Sequence, residues 1–275
     1  MRLRPFIGWT VFFLLAAVIA QAVPSVTGSY YFLKGKGLFA KGYYEAAAVA
    51  YERSVSSDPE FARGYVELGL SYYHLEKYSE AEQAFKKAVS INDDSCAECG
   101  LGMVYHLQGR NEEAEKTLKK SAALNPRDAC ASNQLGRMYY KLERYPEAIE
   151  AFRTNVKLRP NAISYHFLGN SYLYSNQYEK ALTAYDEALR AEPDYSRVYV
   201  YRGHAFSHLK RWPEANDSYH KAIKANPDDA EARLGLGYIE LQSGNKKAAL
   251  EQYEILRMQD PEWADALLKD RKSVV

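Results

Sequence analysis

The sequence predicts an all-α chain built from one helical hairpin repeated seven times. Three in-phase periodicities predict it. A glycine recurs at Gly35, Gly69, Gly102, Gly136, Gly169, Gly203 and Gly237, in steps of 33 or 34 residues. An alanine follows each glycine by twelve residues, at Ala47, Ala81, Ala114, Ala148, Ala181, Ala215 and Ala249. Four residues after each alanine stands a bulky apolar side chain: Tyr51, Phe85, Leu118, Phe152, Tyr185, Tyr219 and Tyr253. A fixed period of this length is the mark of a solenoid, in which each unit buries its apolar face only against its neighbours.

The chain opens on an apolar stretch. Arg2 and Arg4 precede a run from Phe6 to Ala20 broken only by Thr10, and Ala20-Gln21-Ala22 gives the small-x-small pattern of a cleavage site. Fifteen helical residues span roughly 22 Å, short of a ~30 Å hydrocarbon core. Residues 1–22 are therefore expected to be an export signal, with Val23 the first residue of the mature chain and a retained membrane anchor as the alternative. Residues 23–27 read as a short linker.

The seven units fill residues 28–263. In each, two segments of helical periodicity are separated by a short break, as in Leu68-Gly69-x-x-Tyr72 followed by Ala81-x-x-x-Phe85. Glycine and alanine are small where two helices must approach closely, and the aromatic side chains fill the space between hairpins, which accounts for most of the 24 tyrosines. Pro146 and Pro213 sit where a second helix begins and a missing N–H costs nothing. Pro59, Pro126, Pro160, Pro193, Pro227 and Pro261 close six units, and Asn92-Asp93-Asp94-Ser95 replaces the proline in the second. Residues 264–275 read as a half-polar capping helix, starting at Ala264, and a tail.

This pattern resembles the tetratricopeptide repeat family, whose signature is Trp-x2-Leu-Gly-x2-Tyr, Ala-x3-Phe and Pro. Leu135, Gly136, Tyr139, Ala148, Phe152 and Pro160 carry the match in the fourth unit. The resemblance implies a right-handed superhelical solenoid of antiparallel hairpins, with the first helices lining a concave face. It also implies that the second, fifth, ninth, twelfth and thirteenth residues of each unit face inward. Among these, the expected partner-binding set is Lys36, Arg63, Tyr73, Asn133, Arg137, Tyr140, Lys141, His166, Asn170, Tyr174, Arg197 and His204. Its basic members meet a single inward acid, Glu231. Cationic donors interleaved with aromatic anchors suit an extended peptide carrying aromatic or acidic groups. Only Asn133, Arg137 and Lys141 resemble the carboxylate clamp of some relatives, so that function is not carried over.

Charge balance, 36 Lys+Arg against 35 Asp+Glu, supplies no electrostatic reason to bind nucleic acid, and a membrane enters only if the N-terminal segment is retained. Three cysteines lie in two adjacent units. Ser95-Cys96-Ala97-Glu98 reads as a capping box and Asp128 as the cap of the next helix, so Cys96 and Cys130 fall in first turns, where the helix dipole lowers a thiol pKa. Three readings stand open: small packed residues, a disulfide, or a soft-metal wall of Cys96, Cys99, Met103 and Cys130. Equivalent places in successive units make Cys96–Cys130 the expected disulfide, with Cys99 the lesser partner. His204 and His208, one turn apart, have a spacing that can chelate a metal, with no carboxylate expected beside them.

No nucleophile–base pair is evident, so the chain is not expected to be an enzyme and no cofactor is expected. The expected function is an exported scaffold, periplasmic or extracellular, that holds a partner protein or peptide in its groove. The alternative is metal or redox handling by the cysteine and histidine wall.

Overall fold

The computed structural model describes residues 26–271; the expected signal and most of the linker precede them, and residues 272–275 follow. The described residues form fifteen helices and no strand. The first, α1, covers residues 26–39, so Val26 and Thr27, expected in a linker, are already helical. It pairs with α2 (Tyr44–Ser57). Then come α3 (Ala62–His74) with α4 (Tyr78–Ile91), α5 (Ser95–Leu107) with α6 (Asn111–Leu124), and α7 (Ala129–Lys141) with α8 (Tyr145–Leu158). The last three pairs are α9 (Ala162–Tyr174) with α10 (Tyr178–Ala191), α11 (Ser196–His208) with α12 (Trp212–Ala225), and α13 (Ala230–Gln242) with α14 (Lys246–Gln259), followed by α15 (Pro261–Arg271). None of the described helices is long and apolar enough to cross a membrane. The chain packs as two compact units that divide within α7, one ending at Gln134 and one starting at Leu135.

One contact repeats inside the hairpins of both units. The bulky side chain of the second helix lies on the glycine of the first. A Cβ on Gly69 would come within 2.8 Å of the Phe85 ring, and one on Gly169 within 2.3 Å of Tyr185. Phe85, Phe152 and Tyr185 are fully buried, as are Ala81, Ala148 and Ala181 one turn earlier. Replacing Ala148 with Leu is expected to overpack this seam and cost about 1–3 kcal/mol, measurable by urea unfolding.

The turn inside each hairpin repeats a second device. The fifteenth residue of every unit has φ near +60° to +80°: Gly42, Glu76, Gly109, Glu143, Asn176, Lys210 and Gly244. Around Glu143, its own N–H reaches the Tyr140 carbonyl at 3.1 Å, and the next N–H, that of Arg144, reaches Tyr139 at 2.8 Å. This pair is a Schellman cap, which satisfies carbonyls left over at the end of a helix. The left-handed conformation crowds a Cβ, so the four non-glycine residues carry a cost that glycine would relieve. Glu143→Gly is expected to stabilise the second unit by about 0.5–1 kcal/mol and Gly109→Ala to destabilise the first by about 1 kcal/mol, read by denaturant midpoints.

The C-terminal helix begins three residues before the expected Ala264. Pro261 opens α15 instead of closing the seventh repeat, and Asp260 accepts hydrogen bonds from the Glu262 and Trp263 N–H groups at 3.1 and 3.4 Å. A proline in the first turn loses no intrahelical bond, so α15 can start there. Ala264 and Leu267 are buried, and Leu267 lies where a Cβ on Gly237 would point, 2.7 Å away. In the last repeat α15 thus fills the glycine notch that a ring or Leu118 fills elsewhere.

In the first unit the disulfide joins Cys99 to Cys130, with Cα atoms 6.5 Å apart, and Cys96 is free and exposed. The expected Cys96–Cys130 pairing is therefore corrected. Its premise, that equivalent places stand side by side, fails because successive first helices are staggered by about one turn. The fifth residue of one unit meets the second residue of the next. The same offset of 31 residues puts the Arg63 guanidinium 5.7 Å from the Phe32 ring centroid. Asp94, not Ser95, caps α5 by accepting the Ala97 N–H at 2.9 Å, while Asp128 accepts the Cys130 N–H at 3.0 Å. Glu98 pairs with Lys120 instead of closing a capping box. The expected acidic thiol at Cys96 is also corrected: partial burial and the carboxylates of Asp94 and Asp128 push its pKa up. Non-reducing peptide mapping is expected to find Cys99 linked to Cys130 with Cys96 alkylatable, and reduction to remove about 3–4 kcal/mol from the first unit, the value of closing a loop of 31 residues.

Candidate functional site

In the first unit the expected groove residues converge on single rings. The Phe32 ring, nearly buried, is flanked by Lys36 Nζ at 6.0 Å and Arg63 at 5.7 Å from its centroid. His74 stacks face to face on Tyr44, with centroids 4.4 Å apart and planes within 8°, and Tyr73 packs edge-on against His74 and Tyr78. Asn133 is half-buried.

The second unit gathers more of the expected set. Tyr140 on α7, Tyr145 at the start of α8, and Phe167 and Tyr174 on α9 form one aromatic cluster. Tyr145 and Tyr174 stack at 5.5 Å and 18°, and Tyr140 meets both Phe167 and Tyr174 edge-on. Tyr174 stays exposed. Arg137 lies 5.3 Å from the Phe167 centroid and Arg197 lies 5.9 Å from that of Tyr201, both with exposed side chains. Lys141 is exposed one turn beyond Arg137.

Position beside aromatic rings on the first helices sets most of these cations apart. Some Lys and Arg form ion pairs, such as Lys86–Glu82 at 2.6 Å and Arg211–Glu214 at 2.9 Å. Among the described residues, Arg137, Lys141 and Arg197 in the second unit, and Lys36 and Arg63 in the first, make no ion pair. Five cations on the first helices are left to solvent or to a ligand.

Two expected contact residues are not at the surface. His166 and Asn170 are buried; Asn170 serves the Tyr185 hydroxyl and His166 in turn holds Asn170. Tyr185 donates to Asn170 Oδ1 at 2.8 Å, and Asn170 Nδ2 donates to His166 Nε2 at 3.1 Å. His166 therefore carries its proton on Nδ1 and donates to the Tyr195 hydroxyl oxygen at 3.0 Å. A tyrosine at the ring position buries a hydroxyl that needs a partner, and the ninth residue of the unit provides it. His204 does the same for Tyr219, at 3.1 Å, while its Nε2 donates to Glu231 Oε1 at 3.2 Å. In the first repeat the ninth residue is Lys36, and among the described residues the buried Tyr51 hydroxyl has no hydrogen-bond partner.

The metal reading is not supported by this arrangement. Cys99 and Cys130 are oxidised to a disulfide, and both ring nitrogens of His204 are already engaged. His208 stacks on Tyr178 at 4.7 Å and 5°. The absence of a carboxylate beside His204 is corrected by Glu231. Among the described residues no three His, Cys, Asp or Glu side chains converge as a metal site.

Burial, and secondly the positive Arg197, holds the pKa of His166 at about 4. Its unfolded value is near 6.5, so between pH 6.5 and 4 the unfolded chain binds a proton that the folded chain refuses. Stability of the second unit should fall as pH drops through that window, by up to about 3 kcal/mol from this one group. His166→Gln is expected to flatten that slope in urea midpoints collected between pH 7 and 4.5.

Stacked antiparallel hairpins with ring-lined, cation-bearing first helices define a repeat protein of the protein-interaction class. Two family models, both described as tetratricopeptide repeat, match residues 93–159 and 127–192, and residues 32–95 and 209–262. The chain belongs to the tetratricopeptide repeat family. It is 26% identical over 158 residues to anaphase-promoting complex subunit 3 of Schizosaccharomyces pombe, covering 57% of this chain and 24% of that protein. It is 27% identical over 158 residues to the TPR repeat-containing protein MJ1428 of Methanocaldococcus jannaschii, covering 56% of this chain and 28% of that one. The chain thus spans under a third of the length of these relatives. Among solved structures it is similar to the C-terminal part of a TPR repeat-containing protein from Cytophaga hutchinsonii, at 20% identity and a TM-score of 0.69, covering 86% of this chain and 99% of that one. It is also similar to YrrB, described as a TPR protein with an unusual peptide-binding site, at 21% identity and a TM-score of 0.60 over 68% of this chain and 99% of that one. At these identities the likeness is one of fold.

Proposed function

We propose that the chain is an exported interaction scaffold whose second unit holds an extended peptide rich in acidic and aromatic side chains. The observation that carries this is the set of exposed cations without ion pairs, Arg137, Lys141 and Arg197, beside the exposed Tyr174 and the Tyr140 cluster. An ion pair made by a peptide carboxylate here competes with no internal partner, and the rings supply apolar area at little entropic cost. YrrB's description as peptide-binding favours the same use of the fold.

The export part rests on the sequence of residues 1–22 and draws support from the Cys99–Cys130 disulfide, a bond that persists in oxidising compartments. Mature protein should begin at Val23, which N-terminal sequencing of the native protein reads directly. Retention of Met1 to Ala22 would mean a membrane anchor instead.

The binding part is tested with two synthetic twelve-residue peptides, one alternating Glu with Tyr and one alternating Lys with Tyr. The acidic peptide should bind at least tenfold more tightly. The double variant Arg137→Glu, Lys141→Glu should lose at least tenfold in affinity with little change in melting temperature, since both side chains face solvent. Equal binding of the two peptides, or full affinity in the double variant, would reject the assignment.

A further inference from the structure

We propose that a cavity at the C-terminal end of the second unit receives the side chain of an arginine or lysine from the bound peptide. The cavity, about 450 Å3, opens between α11, α13 and α15. Its walls include Leu267 and the rings of Tyr238 and Trp263, both partly exposed. Its one carboxylate is Glu231, whose pKa stays below the usual carboxylate range because His204 donates to it. That hydrogen bond uses Oε1, and among the described residues Oε2 has no hydrogen-bond partner. Another wall group, His208, has its pKa lowered by burial and by His204, which favours its neutral form.

An ionised carboxylate with a free oxygen, set among aromatic faces, suits a cation. The carboxylate supplies a charge-assisted hydrogen bond and the rings a cation–π contact. Arg197, whose charge acts on Glu231 from a distance, packs on Tyr201 and forms no ion pair with it, so the place is not taken from within. An alkyl or aryl group would fill the apolar walls but leave the carboxylate facing it unpaired, at a cost that a guanidinium or ammonium avoids.

A peptide is the source because of where the cavity sits. It continues the inward face of α11, the helix that carries Arg197, so the inference rests on reading that face as a peptide groove. The two features have opposite sign. Cations near α7 and α9 take acidic side chains, and the cavity some helices further on takes a basic one. A partner with an acidic segment and a basic residue beyond it would then be held in one direction only.

The test uses a probe too short to reach both features: acetyl-Gly-Arg-Gly-amide, with citrulline or norleucine replacing arginine in two controls. Citrulline keeps the shape and removes the charge. The readout is the indole 15N–1H resonance of Trp263 in the full chain, assigned by its loss in Trp263→Phe. The arginine probe should shift this resonance saturably, and both controls should need at least tenfold higher concentration. Glu231→Gln, which keeps an acceptor for His204, should weaken the arginine probe at least tenfold. Arg137→Glu, Lys141→Glu should leave it unchanged, which separates this site from the groove reading. Equal titration by citrulline or norleucine, an unmoved Trp263 resonance, undiminished binding in Glu231→Gln, or a tenfold loss in the groove variant would each overturn the proposal.

Discussion

The rest of the structure depends on a bulky side chain seated in a glycine notch. In each of the first six hairpins the second helix drives a ring or leucine onto the first at a glycine, where a Cβ would stand within 3 Å of it. The contact fixes how close the two helices come and at which turn. The same ring then serves the next interface: Phe85 also lies against Gly100 of α5, and Tyr219 against Gly235 of α13. Because the ring is shared, the geometry of one hairpin sets the stagger of the next first helix. The side chains that reach the inward face follow from that stagger.

Much of this was legible because it rests on residue size repeated at a fixed period. Glycine, alanine and the ring could be read as one unit, since no other arrangement uses a small–small–large triplet seven times in phase. The hairpin caps were not legible. Glu76, Glu143, Asn176 and Lys210 occupy a left-handed position that sequence reading expects glycine to mark, and only three of the seven units mark it so. The cysteine pairing was missed for a geometric reason. A repeat tells which residues are equivalent, but the one-turn offset that brings Cys99 to Cys130 belongs to the packing. Pro261 misled in a simpler way, because a proline can end one helix or begin another, and the Asp260 cap decides which.

The candidate site divides along the same line. The exposed cations Arg137, Lys141 and Arg197 were found from their register. His166 and Asn170 share that register, yet they are buried beneath the surface. The signal was present in the sequence for two repeats: where the ring is Tyr185 or Tyr219, burying its hydroxyl costs less with a polar ninth residue of the right reach beside it. Asn170 serves Tyr185 and His204 serves Tyr219, whereas Phe85 and Phe152 need no such partner. The inward register is therefore shared between residues that complete the core and residues left free. Those left free in the second unit include Arg137, Lys141, Arg197 and Tyr174.

That division is the central claim, and chemical-shift mapping of the acidic–aromatic peptide on 15N-labelled protein tests it most directly. Shifts should concentrate in α7, α9 and α11 and at Tyr145, around Arg137, Lys141, Tyr174 and Arg197, with the rest of α8, α10 and α12 undisturbed. Shifts centred on the second helices, or spread evenly over both faces, would contradict it.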